Sequence, residues 1–268
     1  MTELCFNTMN RSSFLLGSEN PRLEQQIAAA ANAGFTLFGP DYYSICHYRE
    51  HIGSVEALAL QIEQAGMRCF ELPVLQVDDV DQLRNDAQAM LGVAKILKPD
   101  FLQVNINCQT DNRLLAELRN IADMYAQFGV KLALEYLPWL PQLKSINDSR
   151  LFLEAVAHPG FGIVVDTWHF THSEDSWEDL QALPIEQVSY VQFDDHPPLQ
   201  TDDLIAETVG RRVMPGQGSF ELERFCKIFQ DKGYEGPVSC EVLSDQTRNM
   251  DIAAFAQQLY TTSRVYWA

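Results

Sequence analysis

The chain contains 268 residues, 46% of them hydrophobic, and its formal net charge is −18 because 37 acidic residues outnumber 19 Lys and Arg. These values are typical of a globular protein with one large core, and the negative charge disfavours a nucleic-acid or anionic membrane partner. The six cysteines form no CxxC pair, and the sequence shows neither a leader-like N-terminus nor an apolar run long enough to span a membrane, which together favour a reducing, cytoplasmic compartment.

Apolar β-type runs alternate with amphipathic helical patterns along the chain. Strands are predicted at about 3–9, 35–40, 67–75, 101–107, 131–137, 161–167, 188–194 and 236–243. Helices are predicted at about 21–33, 49–65, 80–97, 111–128, 146–157, 175–182, 219–232 and 249–265. Asn20-Pro21 and Ser219 with Glu221 are expected helix starts. A recurrent glycine closes a helical pattern and opens an apolar run, as expected of a helix C-terminus, at Gly34, Gly66, Gly129 and Gly233.

This alternation indicates a parallel sheet, and eight strand–helix units predict an α/β fold, a (β/α)8 TIM barrel forming a single domain over residues 1–268. A doubly wound open sheet is the alternative. No GxGxxG motif follows the first predicted strand, however, and Gly216-Gln217-Gly218 lies late, in a predicted loop. The barrel is therefore the favoured fold, with its active site at the carboxyl ends of the strands.

Four consecutive predicted strands end in a residue type that can bind a metal. The runs are LALE at Glu135, IVVD at Asp166, YVQ at Gln192 and VSCE at Glu241. Because strand side chains alternate, each of these residues shares a face with the residue two positions earlier. If those faces point inward, the four polar groups converge at the mouth of the barrel.

A buried carboxylate is costly unless it is paired or bound to a cation. The ordinary alternative for each acid is an Arg partner or a helix cap. Three carboxylates and an amide oxygen together suit one divalent cation held by Glu135, Asp166, Gln192 and Glu241. An oxygen-rich site favours Mn²⁺ or Mg²⁺, with Zn²⁺ or Co²⁺ as alternatives.

Further polar residues follow these strands. His169, three residues after Asp166, is expected to reach back over the metal as a proton donor or electrophile. Asp194 is expected beside the metal or at the substrate, with a cap of the following loop as the alternative. Arg212, before the PGQG turn, is a candidate clamp for a phosphate or carboxylate, with a surface salt bridge as the alternative.

Other residues are candidates for the walls of the pocket. Trp139 is expected to offer an aromatic wall to the carbon face of a sugar, although such residues are also common in cores. Asn107, with Asn105, and Glu71 are expected at the ends of the fourth and third strands, where they would bind substrate hydroxyls.

A metal flanked by carboxylates suits enolisation, in which a carbonyl and an adjacent hydroxyl are held and the α-proton becomes more acidic. Glu135 or Glu241 would then be the base, with His169 beside them. Returning the proton to the other carbon gives an isomerase, and returning it to the other face gives an epimerase. Loss of a β-hydroxyl instead gives a dehydratase, and a sugar-acid binding domain without turnover is the non-enzymatic alternative.

The sequence around these strand ends resembles the xylose isomerase-like TIM barrels, and the resemblance runs along the whole chain. It places the family's metal, DxxH and R-x-x-PGxG positions at Glu135 in LALEYLPW, Asp166 in VVDTWHF, Gln192 in YVQFDD, Glu241 in VSCEV, His169 and Arg212. Many sugar epimerases have His where this chain has Gln192. The chain is similar instead to a branch with inositol-catabolism isomerases and 3-dehydroshikimate dehydratases. The resemblance implies a small polyhydroxy carbonyl substrate, and a homo-oligomer is one expected assembly.

Overall fold

The computed structural model describes residues 2–12 and 22–268, so the predicted helix start at Asn20-Pro21 lies outside the described residues. The strands are β1 (Leu4–Asn7), β2 (Leu37–Gly39), β3 (Arg68–Cys69), β4 (Glu71–Val77), β5 (Phe101–Ile106), β6 (Lys131–Glu135), β7 (Phe161–Asp166), β8 (Val188–Phe193) and β9 (Val238–Cys240). All pairings are parallel, and the sheet order is β3-β2-β1-β9-β8-β7-β6-β5-β4. The sheet therefore starts and ends with two pieces of one predicted strand.

Phe70, between β3 and β4, links the two edges of this sheet. Its N–H donates to the carbonyl of Phe38 on β2 at 3.0 Å, and its own carbonyl accepts from the N–H groups of Asp100 and Phe101 at 2.8 and 3.1 Å. The third predicted strand, 67–75, is thus two short strands that close the ring from either side. The described residues form a nearly closed barrel, and the predicted TIM barrel is confirmed.

The helices are α1 (Leu23–Ala33), α2 (Tyr42–His51), α3 (Val55–Gln64), α4 (Val80–Leu97), α5 (Asn112–Ala126), α6 (Ile146–Val156), α7 (Thr167–His172), α8 (Trp177–Ala182), α9 (Leu204–Gly210), α10 (Leu222–Asp231) and α11 (Ile252–Arg264). Short α7 and α9 were not predicted; they follow β7 and β8. The single helix predicted at 49–65 is wrong, because Ser54 caps a new helix by accepting from the Ala57 N–H. Ser219 does not cap α10; its hydroxyl donates to the carbonyl of His196.

The strand side chains face the directions that the alternation predicts. Six residues of β6–β9 belong to the core between the barrel and its helices: Leu132, Leu134, Val165, Val191, Val238 and Cys240. A smaller apolar cluster fills the barrel: Cys5, Leu37, Phe70, Ala133, Val164 and Tyr190. Asp166 lies opposite Gln192, whereas Glu135 lies opposite Val164 and Gln192 lies opposite Ser239, two residues before Glu241. The four candidate ligands therefore lie at the same end of the barrel, with only Asp166 and Gln192 in direct register.

The cysteine side chains are free thiols, and burial raises the pKa of Cys69 and Cys226 above the usual range. They pack as small apolar side chains. Within residues 2–12 and 22–268, no helix combines the length and apolar character needed to cross a bilayer.

Candidate active site

A cavity of about 270 Å³ opens at the carboxyl ends of the barrel strands. Its polar residues are Gln76, Gln103, Asn105, Asn107, Glu135, His169, Thr208, Arg212 and Glu241. Its apolar residues are Met9, Tyr43, Pro73, Val74, Leu137, Trp139, Ile205, Val209 and Leu243. Polar groups from the strand ends and nearby loops thus meet largely apolar walls in one pocket, the arrangement typical of small-molecule sites.

Glu135, at the end of β6, is held by amide donors from β5. Its Oε2 accepts from Gln103 Nε2 at 2.6 Å and from Asn105 Nδ2 at 2.8 Å. Gln103 and Asn105 are two residues apart, so both side chains point to the inside of the barrel. These neutral donors fix the carboxylate without cancelling its charge, and they leave Oε1 toward His169.

His169 reaches the site because β7 runs directly into α7. Asp166 is the N-cap of α7, and its Oδ1 accepts from the His169 N–H at 2.8 Å. The cap turns the chain back over the strand end and brings His169 Nε2 to 3.4 Å from Glu135 Oε1. One ligand atom each from Glu135, Asp166 and His169 lie within 4.8 Å of one another, close enough to hold a metal ion.

Arg212 lies on the other side of the site, among three carboxylates. Its Nη1 is 2.8 Å from Asp166 Oδ2, 2.6 Å from Asp194 Oδ2 and 3.4 Å from Glu241 Oε2. Nε and Nη2 donate to Thr208 of α9 at 3.2 and 2.8 Å. Burial tends to raise the pKa of Asp166, but Arg212 and His169 hold that pKa below its ordinary value.

Glu241 follows β9 and faces Gln192 of β8. Its Oε1 accepts from Asn7 Nδ2 at 3.0 Å and lies 3.5 Å from Gln192 Nε2. The Oε1 of Gln192 is buried and has no hydrogen-bond partner among the described residues. Burial raises the pKa of Glu241 well above its usual value, and the attraction of Arg212 offsets only part of this effect.

The donor set fits a divalent cation. Four buried carboxylates, Glu135, Asp166, Asp194 and Glu241, cluster here with one guanidinium, which contacts the last three. Burial raises the pKa of Asp194 as it does that of Glu241. Such an excess of negative charge is what a bound cation relieves. Among the described residues, Gln192 Oε1, Asp194 Oδ1 and His169 Nδ1 are buried atoms without partners, so this cluster also has unused ligand atoms.

The remaining predicted residues divide between the cavity and the interior. Trp139 lines the cavity, edge-on to His169 with ring centroids 5.4 Å apart. Asn107 lines it too, and its amide donates to Asp78 at 2.8 Å. Asp194 lies below the cavity, fully buried against Arg212.

Glu71 does not reach the cavity, so the expectation that it binds substrate hydroxyls is corrected. It begins β4 instead of ending a strand, because the predicted strand breaks at Phe70. Its carboxylate is fully buried inside the barrel, where Ser239 Oγ donates to it, and Gly39 leaves room for its Cγ. Burial raises the pKa of Glu71 to about 7.

Sequence reasoning missed three residues that organise the site: Gln103, Asn7 and Thr208. Gln103 carries a readable signal, because FLQVNIN places polar residues at alternate, inward positions of an apolar strand. Thr208 carries no such signal. Its role depends on α9, a short helix in a region predicted as loop.

The xylose isomerase-like TIM barrel model matches residues 27–261. An inosose isomerase of Halalkalibacterium halodurans is 32% identical over 150 residues, covering 55% of this chain and 49% of that protein. A 3-dehydroshikimate dehydratase of Pseudomonas aeruginosa is 29% identical over 230 residues, covering 85% of this chain and 32% of that protein. The chain thus spans about half the length of the inosose isomerase and about a third of the length of the dehydratase.

Solved structures give the same fold. The IOLI protein, whose structure contains a zinc atom, superposes with a TM-score of 0.86 at 19% identity, covering 99% of this chain and 98% of its own. An L-ribulose 3-epimerase superposes with a TM-score of 0.76 at 16% identity, covering 99% of this chain and 94% of the epimerase chain. The family match extends over most of the barrel and includes the carboxyl ends of β2 to β9. The chain therefore belongs to the xylose isomerase-like TIM barrel family.

Proposed function

We propose that the protein is a divalent-metal-dependent isomerase or epimerase that moves a proton next to the carbonyl of a small polyhydroxy ketone. The observation that carries this proposal is the pair of carboxylates Glu135 and Glu241, which both line the cavity from strands separated by β7 and β8. Two carboxylates and a histidine around one pocket are the groups that proton removal and return require. The inosose isomerase relative supports the same reaction class.

In this proposal Glu135, Asp166, Gln192 and Glu241 hold the cation, with His169 beside Glu135. A cation bound there would lower the pKa of the proton next to a carbonyl that it holds. Mn²⁺ or Mg²⁺ suits the oxygen donors, and the zinc atom of the IOLI structure keeps Zn²⁺ as an alternative.

The protein groups divide the remaining work. Gln103 and Asn105 fix Glu135 through Oε2 at 2.6 and 2.8 Å. Glu241 has longer contacts, to Asn7 at 3.0 Å, Arg212 at 3.4 Å and Gln192 at 3.5 Å, and is the base in this proposal. His169 donates a proton to the substrate oxygen on which negative charge develops. Trp139 and the apolar walls exclude water from the reacting carbon.

A dehydratase is the second candidate, favoured by the relative that matches 85% of this chain. It would begin with the same proton removal. The β-hydroxyl would then leave as water, with His169 as its proton donor. The site residues would be the same.

Deuterium exchange tests the proposal directly. Protein stripped by a chelator and reloaded with Mn²⁺ is incubated in D₂O with inosose, a ketohexose or 3-dehydroshikimate, and exchange at the α-carbon is followed by NMR. We expect metal-dependent exchange that Glu241→Gln abolishes. Ultraviolet absorbance of an aromatic product identifies the dehydratase. Absence of exchange with all three compounds would contradict an enzymatic role of this kind.

A further inference from the structure

Basic side chains are scarce around the cavity. Among the described residues that line it, Arg212 is the only Lys or Arg and His169 is the only His. Residues 13–21, which follow β1 and the turn after it, contain no Lys, Arg or His in their sequence. A phosphate or carboxylate is normally bound by such groups, most effectively by a guanidinium with two free N–H donors.

Arg212 already uses its donors within the protein. Nη1 contacts Asp166 and Asp194 at 2.8 and 2.6 Å, and the side chain is 1% exposed. Nε and Nη2 are directed to Thr208. Turning this guanidinium toward a substrate anion would leave two buried carboxylates without their cation, which is strongly unfavourable.

Acidic side chains outnumber basic ones in the floor of the cavity. Asp166, Asp194 and Glu241 lie within 3.4 Å of the one guanidinium, and Glu135 adds a fourth buried acid to the floor. Fully buried Glu71, deeper in the same barrel, is a further acid and offers an anion no favourable contact. An anionic substrate group enclosed in this pocket would meet like charge with little screening by water.

The walls offer apolar contact in place of charge. Leu137, Trp139, Ile205, Val209 and Leu243 surround the mouth, and the amides of Gln76 and Asn107 lie among them. Such walls suit the C–H face of a ring, and the amides suit hydroxyl groups. We propose that the cavity selects an uncharged polyhydroxy ketone and discriminates against substrates that carry a phosphate or a carboxylate.

This inference rests on the proposed function, and paired ligands test it separately from turnover. Mn²⁺-loaded protein is given a ketohexose and its phosphate monoester, then inosose and 3-dehydroshikimate, and both kcat/KM and the Kd by calorimetry are measured. We expect the uncharged member of each pair to be favoured at least tenfold. If kcat/KM and Kd are equal for the two members of either pair, or favour the anion, the inference is overturned and the proposed function is left intact. Absence of turnover with selective binding of the uncharged ligand contradicts the proposed function alone.

A positive charge added at the mouth of the cavity tests whether the cavity itself discriminates against anionic substrates. Ile205 lines the cavity and is 53% exposed, whereas Leu199 is 40% exposed and lies outside the lining. Ile205→Lys should improve the ratio of anionic to uncharged kcat/KM roughly two- to fivefold, and the gain should disappear at high salt. For a ligand that is not turned over, the ratio of the Kd values of the anionic and uncharged ligands is measured instead.

Leu199→Lys is the matched control, because it makes the same change in net charge away from the pocket. We expect it to leave the ratio unchanged. If both variants shift the ratio equally, the discrimination comes from the net charge of −18 and its assignment to the cavity is overturned.

Discussion

The two sides of the cavity floor hold their carboxylates in different ways. On the β5–β6 side, Glu135 accepts hydrogen bonds from the neutral amides of Gln103 and Asn105. On the side formed by β7, β8 and β9, Arg212 ion-pairs with Asp166, Asp194 and Glu241. Amides orient a carboxylate but leave its charge in place, whereas a guanidinium removes part of that charge.

The difference separates two roles, which are to orient one carboxylate and to stabilise several buried acids in the folded chain. On the amide side two neutral donors fix the position of Glu135. On the arginine side one guanidinium holds three buried acids together in the folded chain. His169 lies between them, because its helix begins at Asp166 and its ring contacts Glu135. The contrast predicts that variants on the two sides fail for different reasons.

The largest effect is expected at Glu241, which lines the cavity on the arginine side. Glu241→Gln keeps the shape of the side chain but removes its charge and its capacity to accept a proton. A single general acid–base group contributes roughly 10²–10⁴-fold, so turnover should fall by at least that factor. Steady-state kinetics check this, with circular dichroism to show that the fold is kept. Turnover within tenfold of the parent protein would remove Glu241 from the proposed chemistry.

The next largest effect is expected from Arg212, on stability. Arg212→Met leaves buried acids without their cation, and breaking a buried ion pair in this way costs about 3–5 kcal/mol. Thermal or urea unfolding without added metal measures the loss. The matched control is Arg84→Met, which removes an exposed pair with Glu117 and should cost at most about 1 kcal/mol. Similar losses in the two variants would show that the arginine side has no special structural role.

A smaller effect is expected from the amide side. Gln103→Leu removes one of the two donors that orient Glu135, and loss of a group that supports a metal ligand typically costs about 10–100-fold in metal affinity. Competition with a fluorescent chelator measures the Kd for Mn²⁺. Gln76→Leu is the control, since Gln76 also lines the cavity but is bonded to Asp78. An unchanged Kd in Gln103→Leu would show that Glu135 needs no such support.

The sequence was sufficient to predict the barrel and the strand ends because both depend on short-range patterns. Alternation within VVD or VSCE determines which side chains face inward, and parallel strands bring their carboxyl ends to the same end of the barrel. The metal-ligand roles inferred from that convergence stay predictions. The contacts of Arg212 were not readable, because they require α9 to place Thr208 and the loop after β8 to place Asp194.

The error at Glu71 has a different cause. A break of one residue at Phe70 moved the end of the third predicted strand from residue 75 to Val77 and left Glu71 at the start of β4. Composition does not reveal such a break, since MRCFELPV is apolar throughout apart from Arg68 and Glu71. The consequence is an ionisable group inside the barrel in place of one at its mouth.

The smallest expected effect concerns this interior acid and its dependence on pH. Because burial raises the pKa of Glu71 from 4.5 to about 7, the folded chain keeps a proton that the unfolded chain has released between these values. The folded state then binds more protons, so this group makes stability fall as pH rises from about 4.5 to 7, and the penalty is complete above 7. Glu71→Gln removes the ionisable group and should therefore gain about 1–3 kcal/mol relative to the parent between pH 5 and pH 8. Urea unfolding at both pH values, with the exposed Glu235→Gln as control, measures the difference. A Glu71→Gln difference that stays constant from pH 5 to pH 8 would show that the carboxyl group has an ordinary pKa despite its burial.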